Sequence, residues 1–296
     1  MQPVPLTFNK TRIAPTPSGF LHLGNVLSFV LTAALARQTG AKILLRIDDL
    51  DRERVKPEYV QDIFDILNFL EISWDEGPRN ADEYRNEWSQ IYRVELYQDA
   101  LKSLEQGGHL FACTCSRAQL QQNTNIYPGT CLHKNLPLNT PDSNLRLIND
   151  AGEISVNTLS GKQIITVPPE MNYFVVRKKD GMPAYQLTSV CDDIHFGVDL
   201  VVRGLDLWPS TLAQSQLAAK FGNNTFAETV FYHHPLLMAA DGQKLSKSAG
   251  DTSIKYLREQ GKSLADIYTM IARLSGKTHQ VNNWQQLSQL LLPSDF

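Results

Sequence analysis

The first hundred residues of this 296-residue chain alternate strand and helix signals, and this alternation restricts the fold more than any other feature of the sequence. An extended start at Thr11 to Ala14 is followed by an apolar helix at about Asn25 to Thr39, which stops at Gly40. The next segment, Lys42 to Ile47, contains an unbroken apolar run typical of a buried strand. Strand and helix in repeated succession predict an α/β fold with a parallel sheet.

The rest of the chain continues this pattern around a different central segment. Between His109 and about Gln163 the sequence is rich in Asn, Thr, Pro and Gly, which favours an insertion packed against the sheet domain. The other predicted elements are helices at Glu58 to Leu70, Glu87 to Gln106, Leu187 to Phe196 and Ser210 to Phe221, strands at Leu200 to Val202 and Thr229 to Tyr232, and a hairpin turn at Asp180-Gly181 flanked by Phe174 to Arg177 and the residues from Ala184 onward. We therefore predict two halves of one sheet domain at 1–108 and 186–250, an inserted subdomain at 109–185 and a short helical segment at 251–296.

Composition and charge exclude several classes of protein. Apolar residues make up 42% of the chain and charged residues 20%, as in ordinary globular proteins. No apolar run approaches the roughly 20 residues of a membrane helix, and the first ten residues lack the regions of a signal peptide, so we expect a cytoplasmic protein without membrane contact. The net charge of −3 gives no overall attraction to nucleic acid, but Ser253 to His279 is locally basic. That segment predicts either a local RNA contact or a solvated helix face.

The segment that joins the first strand to the first helix, PTPSGFLHLGN from Pro15 to Asn25, has the features of a phosphate-binding turn. Gly19 lets the backbone approach a polyphosphate, and the N–H groups at a helix N-terminus attract anions. The imidazole of His22 can donate a hydrogen bond to a phosphate oxygen. Taken by itself, the same pattern is also typical of a strand-to-helix turn in which His22 caps the helix.

A second polar segment, KLSKS from Lys244 to Ser248, follows an Asp241-Gly242 turn. Two lysines three residues apart suit a phosphate group whose negative charge grows during a reaction. Together with PTPSGFLHLGN, this segment resembles the paired "HIGH" and "KMSKS" sequences of class I aminoacyl-tRNA synthetases. The resemblance implies a Rossmann-like nucleotide-binding domain in which His22, Lys244 and Lys247 are catalytic residues.

Within that class the sequence is similar to the glutamyl-tRNA synthetase family. The similar motifs are Arg12 to Gly19, Arg46 to Asp51 and Val202 to Asp206. The resemblance implies a glutamate pocket made of Arg12, Ala14, Thr16, Asp48, Tyr185 and Arg203. Such a set suits the substrate, because two carboxylates and one ammonium call for guanidinium groups and one carboxylate.

The resemblance also implies an ATP site, with Mg²⁺ accompanying the nucleotide. Its residues are Ser18, Gly19, His22, Gly24, Asn25 and Lys247. Two positions differ from the family pattern. Asp48 replaces the usual glutamate, which places the carboxylate about one methylene further from the substrate ammonium, so its role could pass to Asp49 or to a bridging water. Asn25 replaces the last histidine of "HIGH", which leaves His22 as the imidazole that contacts phosphate.

Three of the four cysteines crowd into nineteen residues of the predicted insertion, at Cys113, Cys115 and Cys131. Three thiolates suit a tetrahedral zinc ion and leave its fourth position open, although three reduced cysteines without metal are an alternative. Donor chemistry favours His133 as the fourth ligand. The resemblance instead implies Tyr127, because this spacing is similar to the zinc site of a short branch of the family. We therefore expect one structural zinc per chain.

The function that follows is ATP-dependent activation of L-glutamate to glutamyl-adenylate and transfer of the glutamate to a tRNA by a monomeric enzyme. The resemblance covers about Arg12 to Gly250, and fewer than fifty residues follow. This length and the cysteine spacing favour the short branch, which esterifies queuosine at the wobble position of tRNA(Asp). Two alternatives stay open: a truncated glutamyl-tRNA synthetase that charges the 3′ end of tRNA(Glu), and a non-catalytic homologue that binds nucleotide or RNA.

Overall fold

A computed structural model describes residues 6–116, 119–120, 126–149, 152–238 and 253–292 of the chain. The described strands, in chain order, are β1 (Lys10–Ile13), β2 (Lys42–Leu45), β3 (Leu110–Cys113), β4 (Asn144–Leu147), β5 (Glu153–Thr158), β6 (Gly161–Thr166), β7 (Val175–Arg177), β8 (Leu200–Gly204) and β9 (Val230–His234). The described α-helices are α1 (Leu23–Thr39), α2 (Pro57–Phe69), α3 (Ala81–Glu83), α4 (Val94–Gln106), α5 (Tyr185–Phe196), α6 (Trp208–Ala219), α7 (Ile254–Glu259), α8 (Leu264–Leu274) and α9 (Trp284–Leu291). None of the helices in these residues is both long and apolar enough to span a bilayer.

The chain divides into two compact units. The first unit comprises Met1–Tyr92, Leu200–Asp206 and Tyr232–Phe296. It contains parallel strands in the order β2-β1-β8, with Thr11 of β1 paired to Ile43 of β2 on one side and to Leu200 of β8 on the other. The predicted parallel sheet is therefore confirmed. A central strand bonded along both edges is rigid, so it fixes the directions of the side chains at its end.

Helix α1 shows why an almost wholly apolar segment forms a helix here. It packs on β1 and β8, and its buried residues lie on all sides, so no polar face develops. The helix ends at Gly40, whose φ of +79° lies in the left-handed region that glycine adopts without strain, as the sequence predicts. It begins at Leu23, two residues before the predicted Asn25, because His22 serves as its N-cap.

The predicted helix from Glu87 to Gln106 is wrong in its first part. Tyr84–Trp88 forms a π-turn and Gln90–Arg93 a 3-10 turn, and regular helix starts only at Val94. The interruption is at Ser89, which is extended with ψ of 142°. Its hydroxyl donates to the buried carboxylate of Asp49, and this tertiary bond outweighs the helical periodicity of the segment.

The second unit comprises Arg93–Asp199 and Leu207–Phe231. It holds an antiparallel sheet in the order β3-β4-β7 and an antiparallel hairpin of β5 and β6, and β5 also runs parallel to the start of β9. The predicted segment Phe174 to Arg177 corresponds to β7. The strands β3 to β6 were not predicted from the sequence, and β3 is buried on both faces and shows no alternation. Inside this unit the carboxylate of Asp192 accepts from Arg93 Nε and the Tyr97 hydroxyl, both at 2.8 Å, which ties α4 to α5.

The predicted helical character of the C-terminal segment is confirmed by α7, α8 and α9 of the first unit. A buried hydrogen bond of 2.7 Å from the Tyr268 hydroxyl to the carbonyl of Leu70 connects α8 to the end of α2. The predicted boundaries of the four domain segments stay a prediction.

Candidate functional site

The turn before α1 is organised around the imidazole of His22. Its Nδ1 accepts a hydrogen bond of 3.1 Å from the Gly24 amide, and its own amide donates to Asn25 Oδ1 at 3.0 Å. His22 therefore caps the helix, as one interpretation of the sequence predicted. Because Nδ1 is the acceptor, the proton of the neutral ring is on Nε2, and this tautomer has the polarity needed to donate to a phosphate oxygen.

The two glycines of this turn, Gly19 and Gly24, have different surroundings. A Cβ at Gly24 would lie 3.0 Å from Cε1 of His22, so any side chain there would displace the capping ring. A Cβ at Gly19 would meet no atom within 4 Å, so the backbone faces open space at this point. The first turn of α1 contains no acidic residue, and its positive end is therefore suited to an anion.

Neighbouring elements hold the turn from outside. The Leu21 amide donates to Asp62 Oδ2 of α2 at 2.9 Å, and burial raises the pKa of that carboxyl. On the other side, Ser253 forms an antiparallel bridge with His22, and the Ile254 amide donates to the Leu21 carbonyl at 2.8 Å. The position of His22 is thus fixed by two helices besides its own.

Two buried arginines lie on neighbouring parallel strands. Arg12 is in β1 and Arg203 in β8, with exposures of 6% and 4%. Nη1 of Arg12 donates to the carbonyl of Val202 at 3.5 Å, so the Arg12 guanidinium reaches across to β8. The structure therefore brings together two positive charges that the sequence places far apart.

The two aspartates that follow β2 have different environments. Asp48 forms a buried bidentate pair with Arg46, with Oδ1 2.7 Å from Nε and Oδ2 3.2 Å from Nη2. Asp49 is fully buried. Its carboxylate accepts from the Tyr84 and Ser89 hydroxyls, the Arg52 guanidinium and the Gln90 amide. Because those four donors fill the lone pairs of one carboxylate, Asp49 is a structural group, and Asp48 is the better candidate to meet a substrate ammonium.

The sequence analysis missed a pair of histidines at the end of β9. Burial, and then the charges of Arg203 and Arg12, lower the pKa of His233 to about 3, so its ring is neutral at physiological pH. The next ring, His234, has Nδ1 2.9 Å from the Pro235 carbonyl and Nε2 2.7 Å from the Ser28 hydroxyl. Since a carbonyl only accepts, Nδ1 carries the proton and Nε2 accepts from Ser28.

The signal available in the sequence was the dipeptide His233-His234 directly after a predicted strand. Its importance depends on β9 lying in the same sheet as β8, which periodicity does not specify.

The other predicted site residues are placed as follows. Ala14 and Ser18 are half-buried, Thr16 is exposed, and the Thr16 carbonyl accepts from the Ser18 amide at 2.9 Å. Tyr185 is the first residue of α5 in the second unit and is 42% exposed. Lys244 and Lys247 lie outside the described residues.

The three cysteines of the second unit converge. Their Sγ atoms lie within 4.8 Å of one another, and those of Cys115 and Cys131 are 3.6 Å apart. Two sulfurs bound to one tetrahedral zinc at about 2.3 Å are separated by about 3.8 Å, so the observed spacing fits that ion.

Tyr127 and His133 differ clearly in their relation to this cluster. The Tyr127 hydroxyl is 3.2 Å from Cys113 Sγ and accepts from the Cys131 amide at 3.0 Å. His133 is exposed and does not belong to the group of close ligand atoms in the described chain. Although burial opposes it, hydrogen bonds from the Thr114 amide and the Tyr127 hydroxyl lower the pKa of Cys131 to about 7. Such a thiol is readily converted to the thiolate that a metal binds.

Comparisons with known proteins identify the family of this chain. A family model described as "tRNA synthetases class I (E and Q), catalytic domain" matches residues 9–130 and 139–290. A glutamyl-Q tRNA(Asp) synthetase from Symbiobacterium thermophilum is 36% identical over 287 residues, which cover 91% of this chain and 87% of that protein. A glutamate–tRNA ligase from an Anaeromyxobacter species is 32% identical over 274 residues, 90% of this chain and 57% of the ligase.

A solved structure shows the same fold. The glutamate-tRNA synthetase from Elizabethkingia anophelis superposes with a TM-score of 0.75 at 22% identity. The superposition covers 95% of this chain and 65% of that chain. At this level of identity the likeness establishes the α/β architecture of a class I catalytic domain and nothing finer.

Proposed function

This chain belongs to the class I glutamyl- and glutaminyl-tRNA synthetase family and, within it, to the glutamyl-Q tRNA(Asp) synthetases, and on that premise we propose that it activates glutamate with ATP and transfers it to queuosine in tRNA(Asp). The activity supplies an acyl-adenylate and then an ester. Both steps take place in the cytoplasm, where ATP, glutamate and tRNA are present together.

One observation carries the choice of substrate: two buried guanidinium groups, Arg12 and Arg203, on adjacent parallel strands. Guanidinium groups bind carboxylates through charge-assisted hydrogen bonds, and an amino acid with two carboxylates therefore suits two neighbouring arginines. Asp48, held in place by Arg46, is the group for the substrate ammonium. Ala14 and Thr16 complete the part of the proposed pocket that lies in the first unit, and the role of Tyr185 stays a prediction from the sequence.

The nucleotide is proposed to bind at the turn before α1. His22 donates from Nε2 to phosphate oxygens, and the backbone at Ser18, Gly19, Gly24 and Asn25 lines the polyphosphate, which carries Mg²⁺ as part of the substrate. Lys247 precedes Ser253 by six residues, and Ser253 is bridged to His22. Six residues span at most roughly 20 Å, so chain connectivity allows Lys247 to reach the same nucleotide.

The chemistry requires positioning more than proton transfer. An oxygen of the glutamate α-carboxylate, ionised at neutral pH, attacks the α-phosphorus of ATP in line, and the bond to the leaving pyrophosphate breaks. Lys247, with Lys244, neutralises the charge that develops on pyrophosphate. A hydroxyl of the tRNA then attacks the acyl carbon, loses its proton and expels AMP.

We also propose one structural zinc ion in the second unit. Cys113, Cys115 and Cys131 would hold it as thiolates, with the Tyr127 oxygen as the fourth donor, and the spacing of these atoms fits a tetrahedral ion. The ion would supply folding stability to this loop and takes no part in bond making.

The decisive experiment has two stages. ATP–pyrophosphate exchange with glutamate is measured first, without tRNA, with aspartate as the matched control substrate. Radiolabelled glutamate is then supplied with queuosine-containing tRNA(Asp), the same tRNA without queuosine, and tRNA(Glu). We expect glutamate-dependent exchange and label only on the first tRNA, attached at the wobble nucleoside.

The similarity to glutamate–tRNA ligases supports a second candidate, which charges the 3′ end of tRNA(Glu). Label on tRNA(Glu) alone would establish that candidate and refute the proposed acceptor. A chain that binds ATP but shows no exchange would be a non-catalytic homologue.

A further inference from the structure

A buried cation lies beside the cysteine cluster. Arg146 is in β4 and is only 6% exposed. It is the cross-strand partner of Phe111 in β3, and Cys113 is two residues further along β3. Side chains two residues apart on a strand share one face, so Arg146 and Cys113 are diagonal neighbours on the same face of the sheet.

The contacts of Arg146 direct its charge to the cluster. Its guanidinium carbon is 3.8 Å from the centre of the Tyr127 ring, and Nη1 donates to the Tyr173 carbonyl at 2.7 Å. Its Nε is buried without a hydrogen-bond partner, and no carboxylate of the described chain pairs with it. A buried guanidinium with only neutral partners is costly, because its charge has lost water and gained no anion.

The metal-bound cluster would be the missing anion. Zinc carries two positive charges and the three thiolates carry three negative ones, so the centre has a net charge of −1 before the tyrosine is counted. A centre of that charge is itself costly to bury unless a cation lies nearby. The charge of Arg146 and the opposite charge of a metal-bound cluster would therefore compensate each other.

We propose that Arg146 is the counter-cation of the metal centre, and that it increases zinc affinity by neutralising the thiolate-bound ion and holding the Tyr127 ring against it. This inference rests on the proposed zinc site. Arg146 is a positioning residue, because it contacts the proposed ligand Tyr127 and not the ion.

The test measures zinc affinity in the full chain by competition with a chromophoric chelator. Arg146→Met removes the charge, and Arg146→Gln removes the charge while keeping a planar group over the ring. Partners of this kind typically change metal affinity 10- to 100-fold, so we expect both variants to bind zinc at least about tenfold more weakly. Arg146→Lys keeps the charge and should stay within about threefold of the unaltered protein.

Arg177→Met is the matched control. Arg177 lies in β7 of the same sheet, where its cross-strand partner in β4 is Leu145 and not Arg146. Its Nε is also buried without a partner. It should leave zinc affinity unchanged. Equal affinities for the unaltered protein and Arg146→Gln would overturn the inference, as would a loss in Arg146→Lys as large as in Arg146→Gln. An unaltered protein that binds no zinc would instead refute the proposed metal site itself.

Discussion

The proposed substrate region of the first unit, formed by Arg12, Asp48 and Arg203, and the cysteine cluster of the second unit are assembled in opposite ways. Arg12 contacts the backbone of Val202, which is 190 residues away in sequence, through strand pairing. The cluster draws its groups from one stretch, Cys113 to Cys131. A site built across strands depends on the register of the sheet, whereas a local site depends on one loop and the ion it binds.

This contrast predicts which property a substitution in each region should change. Arg12 and Arg203 of the proposed substrate region lie on paired strands and Asp48 is bonded to Arg46, so removing one proposed substrate contact should change binding or rate and leave folding intact. Among the described residues of the cluster, Cys115, Tyr127 and Cys131 lie outside regular helix and strand, so removing a ligand should change metal affinity first.

The largest effect on stability is expected at Asp49, the neighbour of Asp48 in sequence. Asp49→Ala leaves four donors without their buried acceptor and should lower the free energy of unfolding by roughly 3–5 kcal/mol, measured by urea denaturation. The control is Asp51→Ala, whose exposed pair with Arg54 is 3.9 Å long and contributes about 1 kcal/mol or less. Equal midpoints for the two variants would show that Asp49 is no more important than a surface residue.

A second variant tests chemistry without folding. Lys247→Ala should reduce the single-turnover rate of adenylate formation by roughly 10²-fold or more with little change in the KM for glutamate, because the contact is made mainly in the transition state. Lys262→Ala, an exposed lysine beyond α7, is the control. An unchanged rate would remove Lys247 from the mechanism.

A third variant tests the arginine pair. Arg203→Ala should raise the KM for glutamate roughly 10- to 100-fold, since a hydrogen bond to a charged group contributes about 1.5–3 kcal/mol, and the KM for ATP should stay the same. Steady-state exchange at varied glutamate measures both constants, with Arg37→Ala at the end of α1 as control. Saturation at the original glutamate concentration would refute the pocket role of Arg203.

The free energy of unfolding should depend on pH through His233 of the first unit. His233 has a pKa of about 3 in the folded chain against about 6.5 when unfolded, so the unfolded chain binds more protons between these values. Its contribution to stability is complete above pH 6.5 and is lost as pH falls, by no more than about 2 kcal/mol between pH 7 and pH 5.

His233→Asn should remove this part of the pH dependence, and His279→Asn, at an exposed position, should not. Denaturant midpoints at the two pH values provide the measurement. Identical slopes in all three proteins would show that His233 does not titrate as its surroundings predict.

The smallest effect concerns the fourth zinc donor. Tyr127→Phe should weaken zinc binding about tenfold, a loss of about 1.4 kcal/mol, while His133→Ala should leave the affinity unchanged. Chelator competition measures both. The opposite result would restore the donor that chemistry alone favours and would mean that the loop rearranges around the ion.

Much of this could be predicted from local sequence. The apolar run and Gly40 predicted the extent of α1 to within two residues. The turn before α1 predicted a capping role and a phosphate-binding role for His22, and the observed cap through Nδ1 is compatible with a phosphate contact through Nε2. Periodicity failed between Glu87 and Arg93, where Ser89 bonds to Asp49 in a different part of the fold, and it was correct from Val94 to Gln106. A pattern of side chains records which face is apolar, and it does not record a specific hydrogen bond to a distant carboxylate.

Local sequence was enough to predict the alternation of strand and helix from Thr11 to Leu70, the turn with Gly19 and His22, the crowding of three cysteines and the charges suited to an acidic amino acid. Three facts became visible only in the folded chain. The Asp49 carboxylate is filled by four donors, whereas Asp48 is paired with Arg46. His233 lies within reach of the charges of Arg12 and Arg203, and Tyr127 rather than His133 lies beside the thiols. The physical reason is range. Helix and strand periodicity and turn chemistry act within a few residues, whereas burial, strand register and the pairing of buried charges arise only when distant segments exclude water together.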